Sequence, residues 1–172
     1  LKLRPEKEAT FDAPFYGTFV HAVLETTARR VGEEGGFRQV DEARLEAIAR
    51  EAIDGYRDET LEQMLARSQR LAYLFQRSRA DILEVVRELG RELRASDFQP
   101  AGFEVEFSAA GPMGPVEIAG ETVRGELSGF VDRVDLYTCG GTTYVRVVDY
   151  KTGKKAFDYT DLLNGLGLQM LI

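Results

Sequence analysis

A chain of 172 residues, 44% of them hydrophobic, has the length and apolar content of one domain with its own core. Its net charge of −7 argues against a generic nucleic-acid binder, which usually carries a basic face, but not against an enzyme whose carboxylates hold a metal beside a phosphate. No apolar run approaches about 18 residues, no apolar segment follows Leu1-Lys2-Leu3-Arg4, and Cys139 is alone, so the expectation is no membrane helix, no signal peptide, no internal disulfide and a cytoplasmic location.

Residues 1–13 are polar and read as extended or mobile. A first helix is predicted from about Pro14 to Arg30, with Asp12 near its start and Phe15, Phe19, Val20, Val23, Leu24 and Thr27 on one side. Gly17, His21 and Glu25 follow at one-turn intervals on the other side. Gly32 to Gly36 interrupt the chain. Asp41 is placed to cap a second helix with the apolar stripe Leu45, Ile48, Ala49, Ala52, Ile53 and Tyr56, continued by Leu61, Met64 and Leu65. A third helix carries Leu71, Leu74, Phe75, Ile82, Val85, Val86, Leu89 and Leu93, with a solvated Arg/Glu face opposite.

After Ser96–Gly102 the period becomes two. Phe103, Val105 and Phe107 alternate with Glu104 and Glu106, which predicts a strand. Gly111-Pro112-Met113-Gly114-Pro115 reads as a turn and Val116 to Ile118 as a short strand. A long strand is expected from Val123 to Tyr137, a hairpin turn at Cys139-Gly140-Gly141, and a return strand from Thr143 to Lys151. A last helix is expected from Tyr159–Asp161. The start without Met, and the helical pattern left open at Leu168–Ile172, read as a piece of a larger protein. The order predicts an α+β domain: a mainly helical part (1–95), then a central mixed, mostly antiparallel sheet with a last helix (102–172).

The strand pattern places chemistry. Asp132 shares a face with Phe130, Val134 and Leu136, and Asp149 shares one with Val145, Val147 and Lys151. Arg133 and Asp135 fall on the other face and read as surface charges. A plain Asp149–Lys151 salt bridge would account for that pair alone. Two acids converging on one lysine call for a further cation, and a divalent metal supplies it. Phosphodiester hydrolysis uses this set: carboxylates hold the metal, and a lysine steadies developing charge.

Gly129-Phe130-Val131-Asp132-Arg133-Val134-Asp135 followed by Val148-Asp149-Tyr150-Lys151-Thr152-Gly153 resembles the Asp…Asp/Glu-x-Lys core of PD-(D/E)XK nucleases, in their RecB-type branch. Gly17-Thr18-Phe19-Val20-His21 resembles that branch's Gly-x-x-x-His, and Gly165-Leu166-Gly167-Leu168-Gln169 the segment before its Gln-x-x-x-Tyr. Within the branch the chain is most similar to the AddB/RexB family of bacterial helicase–nucleases, on Leu1-Lys2-Leu3-Arg4, Phe11-Asp12-Ala13-Pro14 and Lys154-Lys155-Ala156-Phe157-Asp158.

The resemblance implies a three-layer, restriction-endonuclease-like core. It implies Mg²⁺, or Mn²⁺ in its place, held by His21, Asp132, Asp149 and the carbonyl of Tyr150. It implies Lys151 as catalytic lysine and Gln169 as an aid to placing Lys151 or DNA. Glu104 with Phe107 matches the family's Glu-x-x-Phe, and an exposed strand carboxylate is the equal alternative. DNA single strands from unwound duplex ends would be the substrate, and a helicase subunit the partner. The iron–sulfur cluster of the AddB/RexB family is expected in a parent protein but not in this chain, whose Cys139 does not match its ligands. The Gly-x-x-x-x-Gly-Lys-Ser/Thr loop of an ATP site is absent. Two other readings stay open: a nuclease-like module that guides DNA or docks subunits without cutting, and an unrelated α+β domain with buried salt bridges. The first reading requires His21, Asp132 and Asp149 to point at one spot.

Overall fold

The computed structural model describes residues 13–120 and 123–151. Four helices come first: α1 (Ala13–Glu33), α2 (Glu42–Tyr56), α3 (Glu62–Arg67) and α4 (Gln69–Ala95), with a π-helical turn (Arg57–Leu61) joining α2 to α3. Five strands follow: β1 (Gln99–Phe107), β2 (Val116–Ala119), β3 (Arg124–Leu127), β4 (Gly129–Cys139) and β5 (Thr142–Val148). The fold is α+β with a mostly antiparallel sheet. Among the described residues every strand pairing is antiparallel, and the one parallel contact is the isolated bridge Phe107↔Met113. The last helix expected near Tyr159 lies outside the described residues.

Local chemistry explains the helix ends. The Asp41 carboxylate accepts the Arg44 amide at 2.7 Å, and the Ser68 hydroxyl accepts the Leu71 amide at 3.3 Å, so each caps its helix by satisfying an orphan donor. After α1 the chain reverses through Gly35 and Gly36, both at positive φ (97° and 93°), where a Cβ would be strained. The Arg/Glu face of α4 is solvated as expected, laced by Arg87–Glu84 and Arg91–Glu88 pairs one turn apart.

The buried apolar core is made by the helices. Phe19 is fully buried, its ring centroid 5.0 Å from that of Tyr56 and 5.3 Å from that of Phe75, and Leu45, Ile48, Ile53, Ile82 and Leu93 belong to the same buried cluster. The sheet meets this core through Phe103 and Tyr150, both partly buried. Arg29 of α1 reinforces the junction, its guanidinium 5.2 Å from the Phe103 ring centroid.

The main sheet has the order β1-β4-β5, and β2-β3 forms a separate two-stranded sheet. The long strand expected from Val123 to Tyr137 is therefore two strands. Leu127 pairs with Val116, whereas Gly129 pairs with Phe107, so the chain changes partner at Ser128. Gly129 is suited to that crossing, since a Cβ there would lie 3.0 Å from the Phe107 ring. The β4–β5 hairpin closes on Gly140 and Gly141, both at positive φ (58° and 79°), the geometry of a two-residue turn matched to strand twist.

One expectation is reversed. Arg133 and Asp135, read from the sequence as surface charges, are buried (2% and 0% exposed), while Phe130, Val145 and Val147 on the opposite face are more than 60% exposed among the described residues. Alternation assigned the faces correctly, but apolar content did not decide which face the described helices cover.

Candidate metal-dependent active site

The site lies where β1 and β4 meet the end of β5 and α1. Glu104 lies between the pairs Phe103↔Arg133 and Val105↔Val131, which sets it across from Asp132 on the neighbouring strand. Its φ is +47°, and it is the only non-glycine among the described residues in the left-handed region. Strain of this kind, about 1–3 kcal/mol, persists only where surrounding contacts overdetermine the backbone. On the other side the ladder stops at Arg133↔Val148, so Asp149, Tyr150 and Lys151 leave the sheet beside Asp132.

Helix α1 brings His21 to this point. Its Nδ1 is 3.6 Å from Asp132 Oδ1 and 4.0 Å from Glu104 Oε1. Its Nε2 is 3.1 Å from the Tyr150 carbonyl oxygen. A carbonyl only accepts, so Nε2 carries the hydrogen of that bond. The other ring nitrogen, Nδ1, then faces two carboxylates. Three electron-rich atoms facing one another repel, and a proton on Nδ1 or on the Glu104 carboxyl, or a metal ion between them, would relieve that repulsion.

Tyr150 adds backbone groups on the same spot. Its amide donates to Asp132 Oδ2 at 2.5 Å, and its ring meets the imidazole edge-on at 5.6 Å between centroids. Asp132 is largely shielded (14% exposed) and Glu104 is open (45%). Partial desolvation beside the neighbouring strands raises the Glu104 carboxyl above its usual range, Asp132 and Glu25 add to the rise, and His21 opposes it. Lys151 Nζ holds Asp149 at 2.9 Å from Oδ1 and 2.7 Å from Oδ2.

Ligand atoms of His21, Glu104 and Asp132 all lie within 4.8 Å of one another. One imidazole nitrogen and two carboxylate oxygens, with the Tyr150 carbonyl adjacent, form a donor set for a hard, oxygen-preferring cation such as Mg²⁺ or Mn²⁺. The residues present fit such an ion.

Among the predicted site residues, the structure brings together His21, Asp132 and the backbone of Tyr150. It adds Glu104, which the sequence left equally open as an exposed strand carboxylate. Asp149 sits outside that trio, paired with Lys151. Gln169, Thr152 and Gly153 lie outside the described residues. Sequence reasoning missed the Tyr150 amide, since backbone donors leave no mark on residue identity. It also missed the burial of Arg133 and Asp135, whose signal was opposite charges two apart on one strand face with Arg146 across the hairpin.

Compared with known families, the sequence matches the PD-(D/E)XK nuclease superfamily over residues 1–172. It is also similar to bacterial proteins named as subunits of an ATP-dependent helicase/deoxyribonuclease. It is 32% identical over 175 residues to that of Ruminiclostridium cellulolyticum, 33% over 183 residues to that of Caldanaerobacter subterraneus, and 31% over 173 residues to that of Geobacillus thermodenitrificans. Each alignment covers 99% or more of this chain and 15% of the relative, so the chain spans about a seventh of the length of those proteins.

Proposed function

The chain belongs to the PD-(D/E)XK nuclease superfamily, and from that premise we propose that it is the metal-dependent DNA-cutting domain of an ATP-dependent helicase–nuclease subunit. Residues 1–172 form one nuclease domain of that larger subunit. The observation that carries the reading is the convergence of His21 Nδ1 with the carboxylates of Asp132 and Glu104, at 3.6 and 4.0 Å. An imidazolium salt bridge would also neutralise that cluster, but it gives no role to the Asp149–Lys151 pair beside it.

His21, Asp132, Asp149 and the Tyr150 carbonyl would hold Mg²⁺, with Mn²⁺ as a substitute. Glu104 lies close enough to contribute directly or through a bound water. When bound, the ion would polarise the scissile phosphate and lower the pKa of attacking water. Lys151, 45% exposed at its side chain, can turn from Asp149 toward the phosphate and steady the charge that develops there. Asp149 meanwhile orients the lysine through the Nζ contacts to its carboxylate. Gln169 would help place Lys151 or the DNA backbone.

The substrate is single-stranded DNA delivered from unwound duplex ends, cut to leave a 5′-phosphate, in recombinational repair in the cytoplasm. The relatives are named as subunits of a helicase/deoxyribonuclease, which supports a helicase partner. A net charge of −7 supports the same division: the partner does much of the gripping, and this chain supplies the metal site. An iron–sulfur cluster would belong to the parent protein outside this chain. No described helix is long and apolar enough to cross a membrane. The reading is tested by cleavage of single-stranded DNA by the full-length protein with Mg²⁺, with chelator, and with Asp149→Ala. Loss of cleavage in the last two supports it. Cleavage that survives Asp149→Ala overturns it in favour of another site.

A further inference from the structure

The buried face of the sheet carries a charge network that catalysis as described above does not use. Arg133 donates from Nε to Asp135 Oδ1 at 2.7 Å and from Nη2 to Oδ2 at 3.0 Å. Asp135 Oδ2 also accepts from Arg146 Nε at 2.8 Å, and Arg146 continues to Glu92 of α4 at 2.9 Å. The remaining arm of Arg133 reaches Tyr150: Nη1 donates to the phenol oxygen at 2.7 Å, with the guanidinium 5.6 Å from the ring centroid. Burying ions costs several kcal/mol each, and well-packed apolar residues often stabilise a core as well or better. Stability alone is therefore a weak reason for this network.

Its position supplies a stronger one. Among the described residues the β4–β5 ladder ends at Val148, just before Asp149, Tyr150 and Lys151. Tyr150 anchors this segment at three points: its side chain is gripped on one side of the sheet while its amide and carbonyl meet Asp132 and His21. We propose that Arg133 and Asp135, acting through the Tyr150 hydroxyl, are positioning residues that set the Tyr150 backbone and its neighbours Asp149 and Lys151 at the metal site. Asp135 aims the guanidinium, and Arg133 locks the phenol. The rigid ring transmits that placement to a carbonyl and an amide at the carboxylate cluster. Arg146 and Glu92 tie the arrangement to α4. The inference rests on the metal site proposed above.

Tyr150→Phe removes one oxygen and keeps the ring, so it tests the link with little risk to folding. Arg133→Lys keeps the charge but loses the planar fork. In the full-length protein, Mn²⁺ affinity is measured by titration calorimetry, alongside kcat and KM for single-stranded DNA and the unfolding midpoint. Loss of support behind metal ligands weakens metal binding by about 10- to 100-fold. Tyr150→Phe is expected to bind Mn²⁺ about 10-fold more weakly, with KM for DNA unchanged and kcat recovering as Mn²⁺ is raised. Arg133→Lys is expected to do the same or more. Wild-type Mn²⁺ affinity in both variants, with only a lowered midpoint, overturns the inference and leaves the network purely structural. A wild-type protein that takes up no Mn²⁺ overturns the metal site itself, which separates the two failures.

Discussion

The Tyr150 amide donates to the Asp132 carboxylate at 2.5 Å, tying the chain to β4 just after the β4–β5 ladder ends. The carboxylate proposed as a metal ligand is thereby also an anchor of the segment carrying Asp149 and Lys151. Perturbing one side of this tie should be felt on the other.

Asp135 is fully buried and accepts from both Arg133 and Arg146. Asp135→Ala leaves two guanidinium groups facing an apolar hole, and breaking a buried pair in this way costs about 3–5 kcal/mol. Chemical denaturation should show that loss. The double change Arg133→Met with Asp135→Leu should recover most of it, because the one cation left, Arg146, is partly exposed and keeps its Glu92 partner, yet it should not recover Mn²⁺ affinity. Recovery of both would mean the network serves packing alone.

Glu104 titrates above the ordinary carboxylate range, chiefly through burial and then through Asp132. A raised carboxyl favours the protonated form in the folded state. Its stabilisation is thus complete below the unfolded pKa and is lost as pH rises through the folded value. With chelator present, Glu104→Gln should raise the unfolding midpoint at neutral pH, where the native Glu104 is ionised beside Asp132. The advantage should shrink as pH falls into the range where Glu104 takes up its proton. Thermal melts across that interval check the sign. An advantage that grows toward acid pH would contradict it.

The same residue offers a backbone test. At φ +47° a side chain is strained and glycine is not. Glu104→Gly should be more stable than Glu104→Ala by about 1 kcal/mol, the reverse of their order in an ordinary strand. Denaturation of the two variants gives the difference directly. An alanine variant of equal or greater stability would show that the backbone relaxes there.

Much of the fold could be read in advance because its signals are local. The helical stripes around Leu45 and Ile82, the cap at Asp41, and the Gly140-Gly141 turn each follow from a short stretch of chain. The break at Ser128 did not, because it depends on Leu127 and Gly129 finding partners in different sheets. Nor did the burial of Arg133, which follows from where the helices dock on the sheet through Phe103 and Tyr150. For the site, spacing singled out Asp132, Asp149 and Lys151, and the family resemblance added His21. The weight of Glu104 came only with three dimensions, since its proximity to His21 spans α1 and β1.

The central claim is that a divalent cation occupies the space between His21, Glu104 and Asp132. Titration calorimetry of Mn²⁺ into the full-length protein tests it, with Asp132→Asn and Lys151→Met as comparisons. A site that binds Mn²⁺ in the wild type, loses it in Asp132→Asn and keeps it in Lys151→Met, whose cleavage rate falls by about 100-fold or more, is the result predicted. Mn²⁺ binding that is indifferent to Asp132→Asn, or absent from the wild type, would contradict the claim and leave His21 as a protonated salt-bridge partner.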